Sequence, residues 1–237
     1  MNPICTGLRR LAPVFLALLV AGCASVLRSN APPVQVYTLR ADGASSQGAA
    51  DAHPAVAASL RVAHPLAGPG LGTSQIVLLQ PDHRMNVYAA SAWASDAPAL
   101  VESVVTQTLR AAGEWSSIED AESPFPADYL LQISIRRFEA DYSAGTDVAP
   151  TVHVTLDCTL GAEDGRTILS SFVADGSAQA GANKLSDVVA AFQQATDQAL
   201  ASLSQQAFAA VRDTAGHPPG SRSSHRSARR SPQRRGT

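Results

Sequence analysis

The sequence predicts an α+β fold: a single two-layer domain, with a largely antiparallel (mixed) β-sheet and two main helices packed on one face. Three observations carry this. The segments "DYLLQISIRRFEADY" and "PTVHVTLDCTL" alternate apolar and polar residues, the period of two that turns one strand face toward a core. Two other segments repeat apolar residues at the three-and-four spacing of a helix with one buried side. Helices laid on one face of a sheet bury all of these stripes together.

Taken in order, "VQVYTL" (34–39) is a short β-rich run, and "SLRVAHPL" (59–66) and "SQIVLLQ" (74–80) are the next two strands. Between them "AGPGLGT" is a turn-former, and "MNVYAA" (85–90) offers a further strand. After Asp96-Ala97-Pro98 the period changes. Leu100, Val101, Val104, Val105, Thr108, Leu109 and Ala112 trace a helix that Gly113 is placed to end. "WSSIED" (115–120) is a short strand. In the first alternating segment Tyr129, Leu131, Ile133 and Ile135 share a face; in the second Val152, Val154, Leu156, Cys158 and Leu160 do, opposite His153, Thr155, Asp157 and Thr159. A tight "GAEDG" turn leads to "RTILSSFVADG", so these last two segments are expected to form an antiparallel hairpin. Cys158 is thereby a small core residue. Leu185, Val188, Val189, Phe192, Ala195, Ala199, Leu203, Ala207 and Val211 mark a long final helix ending near Gly216, roughly 40 Å at 1.5 Å per residue.

The front of the chain reads as a leader. Arg9 and Arg10 precede a mostly apolar run from Leu11 to Ala21, interrupted by Pro13, and this is shorter than the roughly 20 residues a spanning helix needs. It closes on Val20-Ala21-Gly22-Cys23, which looks like a bacterial lipobox, the motif whose cysteine thiol is alkylated by diacylglycerol. Residues 1–22 are then a lipoprotein signal peptide, Cys23 the lipid-attachment residue and 23–33 a lipidated tether. One acyl chain holds a protein to a bilayer only marginally, whereas two or three hold it essentially irreversibly. Ala24 follows the cysteine; an aspartate there would favour retention at the inner membrane in such lipoproteins, so the expected location is the periplasmic face of the outer membrane. Cys5 leaves with the leader and Cys23 is spent on lipid, so Cys158 has no partner for an intramolecular disulfide. Stability must come from a packed core, with homo-oligomerisation a further route.

Charge is divided. Residues 24–216 hold ten basic and twenty acidic residues, net −10, whereas 217–237 hold six arginines and no acid. So acidic a body behind a secretory leader argues against nucleic acid as partner. The Ser/Arg/Pro-rich segment 217–237 has almost nothing apolar to bury and is expected to be a disordered basic tail. It is either a solvated extension or an arm for anionic lipid. The structured domain is expected over 34–216.

From Gly72, "GTSQIVLLQPDHRMNVYAASAWASDAPALVESVVTQTLRAAGEWSSI" runs isoleucine strand, tyrosine-bearing strand, tryptophan, proline-started helix, then Leu-x-x-x-Gly before the next strand. This order resembles the ABC-type transport auxiliary lipoprotein family. "VYTL", "ADYLLQISIRRFEADY" and "VVAAFQQATDQALASLS" fall in that family's order too, and the resemblance spans Val34 to Phe208. It departs in a long Ala/Gly-rich loop between Arg40 and Ser59 and in the arginine tail. The resemblance implies a docking or scaffolding part of an ABC transporter, with an MCE-type (mammalian cell entry) periplasmic protein as partner and lipid moved between the two membranes.

Signatures of catalysis are missing. The chain lacks Gly-x-Ser-x-Gly, His-Glu-x-x-His and a phosphate loop, and its sole lysine is Lys184. "GPGLG" (68–72) is followed by a strand and reads as a turn rather than a nucleotide loop. His53, His64, His83 and His153 lack ligand spacing. No catalytic, cofactor-binding or metal residue is therefore expected, and the protein reads as a non-enzyme. A peptidoglycan-binding structural lipoprotein and a hydrolase assembled only on folding remain as alternatives. Trp93 either closes the core or sits at a contact surface, and Glu139 and Asp141 are expected on a solvated rim.

Overall fold

Thirteen consecutive residues, Tyr129–Asp141, form the strand around which everything else is arranged (β7). The computed structural model describes residues 33–41, 56–164 and 167–216. Cys23, the leader and 217–237 lie outside the described residues. The chain divides into Met1–Gln35 and Val36–Thr237, and the second unit holds both helices and all but the first residue of the sheet.

The other strands are β1 (Gln35–Tyr37), β2 (Val56–Val62), β3 (Leu66–Ala67), β4 (Gln75–Leu79), β5 (Met85–Trp93), β6 (Trp115–Glu119), β8 (Thr151–Ala162) and β9 (Ile168–Gln179). The helices are α1 (Ala97–Ala112) and α2 (Leu185–Gly216). On one edge β7 pairs along its length with β8, antiparallel, and β8 pairs with β9 in the same way. On its other edge β7 takes three short parallel partners in succession: β2 at Tyr129–Leu131, β3 at Ser134–Ile135 and β4 at Ala140–Asp141. β6 adds to β2 in parallel and β5 to β4 antiparallel. The sheet is mixed, its long ladders antiparallel. The segment 59–66, read from sequence as one strand, is divided into β2 and β3 with Pro65 between them, where the missing N–H cannot join a ladder.

The hairpin register agrees with the alternation. Leu131, Ile133 and Ile135 sit opposite Leu160, Cys158 and Leu156, and these in turn oppose Ser170, Phe172 and Ala174. Between Ile135 and Arg137 the register shifts by one residue, so from Phe138 onward the even positions carry the core: Phe138 and Ala140 face Val154 and Val152. A bulge of this kind flips every later side chain to the opposite face.

The helix-facing side is closed by an aromatic cluster. Phe192 of α2 is edge-on to Trp93 at 5.1 Å and 5.1 Å from Phe138, and Trp93 lies 5.7 Å from Phe138. Trp93 is thus a core residue. Under α2, β9 carries Ala174, Gly176 and Ala178, all on the inner side. A Cβ at Gly176 would stand 2.0 Å from the Ala195 carbonyl oxygen, so only glycine lets the helix come this close. Asp96 caps α1 by accepting the Ala99 N–H at 3.0 Å, and Gly113 ends it in the left-handed conformation at φ 67°. Its buried face includes Thr106 in place of the expected Ala112, which is exposed.

Candidate interaction surface

The sheet face away from the helices carries polar rows across β7, β8 and β9. In register these are Gln132–Thr159–Ser171, Ser134–Asp157–Val173, Arg137–Thr155–Asp175 and Glu139–His153–Ser177. At one end the rows become apolar: Leu130 opposes Gly161, which opposes Ile168, and Ile168 is 70% exposed. Leu66 on β3, also 70% exposed, stands by the same end. Two shallow hollows of about 320 and about 140 Å³ share Gln132 and Thr159 there.

Further along this face the bulge gathers charge. Arg137 Nε donates to Glu139 at 2.6 Å and its Nη2 to Asp141 at 3.1 Å, while His153 Nε2 is 3.9 Å from Asp141. The second Glu139 oxygen accepts the Phe138 N–H at 2.7 Å. Glu139 is only 5% exposed, which corrects its expected place on a solvated rim: the phase shift turns it into a paired, enclosed carboxylate. Burial pushes the Asp141 carboxyl up, but hydrogen bonds from Ser143 together with Arg137 outweigh it and hold the group below the usual range. Burial and Arg137 together lower His153, against the opposing pull of Asp141 and Glu139.

A second feature lies along α1. A groove of about 430 Å³ runs between that helix and the loop after β6, lined among others by His64, Glu102, Thr106, Arg110, Asp120 and Glu122. Its walls are tied by polar contacts. His64 Nδ1 is 2.7 Å from Glu102 Oε2, and Glu102 Oε1 accepts the Ala121 N–H at 3.2 Å. Arg110 donates twice to the Ile118 carbonyl and stands 3.7 Å from Asp120. Behind the loop, Arg61 pairs with Glu163 at 2.8 Å and donates to the carbonyls of Asp120, Ser123 and Phe125. Ser59 donates to Asp128 through both amide and hydroxyl, holding that carboxyl below its usual range.

Cys158 is buried on β8 without a disulfide partner, and burial pushes its thiol up to about 12, the behaviour of an inert core thiol. His64 also borders the outer hollow near Ser134 and Asp157. Its Nδ1 is engaged with Glu102, and Asp157 is paired with Arg136 at 3.2 Å. Among the described residues no three His, Cys, Asp or Glu side chains gather to hold a metal ion, and no helix is long and apolar enough to cross a membrane. "GPGLG" is a turn, with the Leu71 N–H donating to the Gly68 carbonyl and Gly70 at φ 80°. Neither the outer face nor the α1 groove was singled out in the sequence, because their members come from separate elements; charged residues inside alternating strands were the only available signal.

The fold is shared with solved structures. A crystal structure of a protein from Xanthomonas campestris is 22% identical, with TM-score 0.67, over 78% of this chain and 99% of the other. A further crystal structure of an uncharacterized protein is 14% identical, with TM-score 0.56, over 74% of this chain and 99% of the other. A lipoprotein from Neisseria meningitidis is more distant at 12% identity, with TM-score 0.33, over 67% of this chain and 98% of the other. No curated protein matches the chain. Residues 37–204 match the family model for the ABC-type transport auxiliary lipoprotein component, and that match runs from the end of β1 into α2, taking in every strand of the sheet from β2 to β9. The chain belongs to the ABC-type transport auxiliary lipoprotein family.

Proposed function

We propose that this protein is a non-enzymatic docking component of an ABC transport system, held by acyl chains on Cys23 at the periplasmic face of the outer membrane. In this reading its partner is an MCE-type periplasmic protein, and the cargo moved between the membranes is lipid. Residues 1–22 are the signal peptide, 23–33 the tether, 34–216 the docking domain and 217–237 a basic extension. The observation that carries the reading is the family match over 37–204 lying directly behind Val20-Ala21-Gly22-Cys23. The uncovered outer face of β7, β8 and β9, with exposed Leu66 and Ile168 at its apolar end, supports docking through a broad surface.

The test is a pull-down of the tagged protein from envelopes solubilised in mild detergent. The expected result is co-purification of the MCE protein with the wild type, and its loss when Leu66→Glu and Ile168→Glu are introduced together. Recovery of peptidoglycan fragments without any transporter component would replace this reading with the structural one. Independently, Cys23→Ser is expected to abolish labelling by a fatty-acid analogue while leaving a folded domain; unchanged labelling would remove the anchor.

A further inference from the structure

Among the described residues β9, twelve residues long, pairs with β8 alone, so its other edge presents backbone N–H and C=O groups outside any ladder. Residues 170–179 carry no proline, lysine or arginine and a single charge, Asp175, and their register with β8 has no shift. The usual obstacles to strand addition are therefore missing along this edge. What covers it comes from α2. Gln198 accepts the Ser177 N–H at 3.1 Å, and Gln206 donates to the Val173 carbonyl at 3.1 Å. An N–H given to a side chain is not the one bonded to β8, so Ser177 turns its amide to the free edge, and Asp175, Val173 and Ser171 follow at alternate positions. Gln198 and Gln206 stand about 12 Å apart along the helix, and Ser177 and Val173 about 13 Å apart along the strand, so helix and edge run in step. Gly176 permits the approach, since a Cβ there would stand 2.9 Å from the Gln198 Cβ. Gln198 is exposed and Gln206 half-buried, which leaves both amides free to turn aside.

We propose that the β9 edge over Ser171–Asp175 is a strand-addition site for β9 of a second copy, antiparallel about Val173, with Gln206 as its displaceable guard. The pairing is self-complementary. Ser171 meets Asp175 of the second copy on both sides of the axis, a hydroxyl against a carboxylate, and Val173, 41% exposed, meets its own counterpart. A register centred on Asp175 would instead set two carboxylates face to face. The α2 side chains along the edge, Gln198, Gln206 and the Ser202 to which Gln206 also donates, are uncharged, so two helices approach without like-charge repulsion. On pairing, the Val173 carbonyl exchanges the Gln206 amide for a backbone N–H, while Ser171 and Asp175 gain backbone partners. Hydrogen bonds are thus gained rather than lost. The contact is isologous and lies at the edge of the sheet, apart from the Leu66 and Ile168 end on which docking is proposed above.

The test uses the full-length lipoprotein in non-ionic detergent, carrying Val173→Cys and treated with a short bis-maleimide. Cys158 is buried, and the protein without the substitution is the blank. A covalent dimer is expected, and adding Gln206→Ala is expected to raise its yield about five-fold, the weight of one hydrogen bond. Chains carrying Ser171→Cys are expected to crosslink to chains carrying Asp175→Cys, whereas neither crosslinks to itself. Absence of the Val173→Cys dimer in both backgrounds, equal yields with and without Gln206, or crosslinking that ignores the cysteine position would overturn the proposal. Capture of a different protein at Val173→Cys in envelopes, with no dimer, would overturn it as well. The unsubstituted protein supplies a second measurement that holds if a variant fails to fold. Amide exchange at Ser171, Val173 and Asp175 is expected to slow as protein concentration rises, with the centre of β7 unchanged; exchange independent of concentration would refute the pairing.

Discussion

Under α2, the β8–β9 hairpin is held by apolar faces in a register that runs without a shift from Thr151 to Leu160, with Val152, Val154, Leu156, Cys158 and Leu160 on one strand and Ala174, Gly176 and Ala178 on the next. At the other end of the sheet, β2, β3 and β6 are short and parallel, and their connections are fastened by side chains that reach backbone groups. Arg61 holds three carbonyls of the 120–125 loop, Asp128 takes two donors from Ser59, and Glu102 takes the amide of Ala121. The first region draws its stability from area removed from water, which tolerates substitution of one apolar residue by another of similar volume. The second relies on specific hydrogen-bond partners. Packed rigidity and a shaped, polar groove are thus supplied by different halves of one sheet.

The comparison can be broken most forcefully in the packed half. Phe192→Ala empties the place where Trp93 and Phe138 meet α2, and a loss of about 4 kcal/mol is expected from chemical denaturation. A smaller loss, accompanied by an unchanged Trp93 fluorescence spectrum, would mean that α2 carries less of the core than its burial implies.

The polar half should yield less in total but more locally. Arg61→Met preserves much of the side-chain volume but leaves Glu163 and the carbonyls of Asp120, Ser123 and Phe125 without their donor. About 2 kcal/mol of destabilisation is expected. Amide exchange should accelerate at Ala121 and its neighbours and remain slow in β8 and β9. Uniform acceleration across both halves would deny that they are separable.

The smallest effect concerns pH on the outer face. Burial and Arg137 keep His153 below its ordinary 6.5, so the folded state favours the neutral ring. Its contribution is complete above pH 6.5 and is lost as pH falls through the folded-state value. Asp141, held below 3.8 by Ser143 and Arg137 against burial, contributes above 3.8 and loses its share only in stronger acid. Denaturation midpoints should therefore begin to decline below pH 6.5, and His153→Gln should flatten that first step while leaving the later one. An unchanged slope in the variant would reassign the step to another group.

Much of the fold was legible in the residues because periodic burial is local information. The alternation in 129–135 and 152–160, the apolar stripe of α2, and the Asp96 and Gly113 ends of α1 each follow from neighbours within a few positions. The phase shift after Ile135 was not legible: "SIRRFEADY" continues to alternate plausibly, and only pairing with β8 shows that Phe138 rather than Arg137 faces the core. Exchange of Ala112 for Thr106 on the buried side of α1 likewise depends on where β6 and the following loop lie.

By itself the sequence determined the class of the domain, its order of strands and helices, the core positions of Cys158 and Leu203, and the family to which the chain belongs, since each rests on patterns repeated within a short window. The tertiary structure alone decided the parallel pairings of β2, β3 and β4 along one edge of β7, the enclosure of Glu139, and the meeting of His64, Glu102 and Asp120 along one groove. Arg61 reaches Glu163 across 102 positions of chain. Such a contact has no period and no local preference, so it exists only once the sheet has brought its ends together.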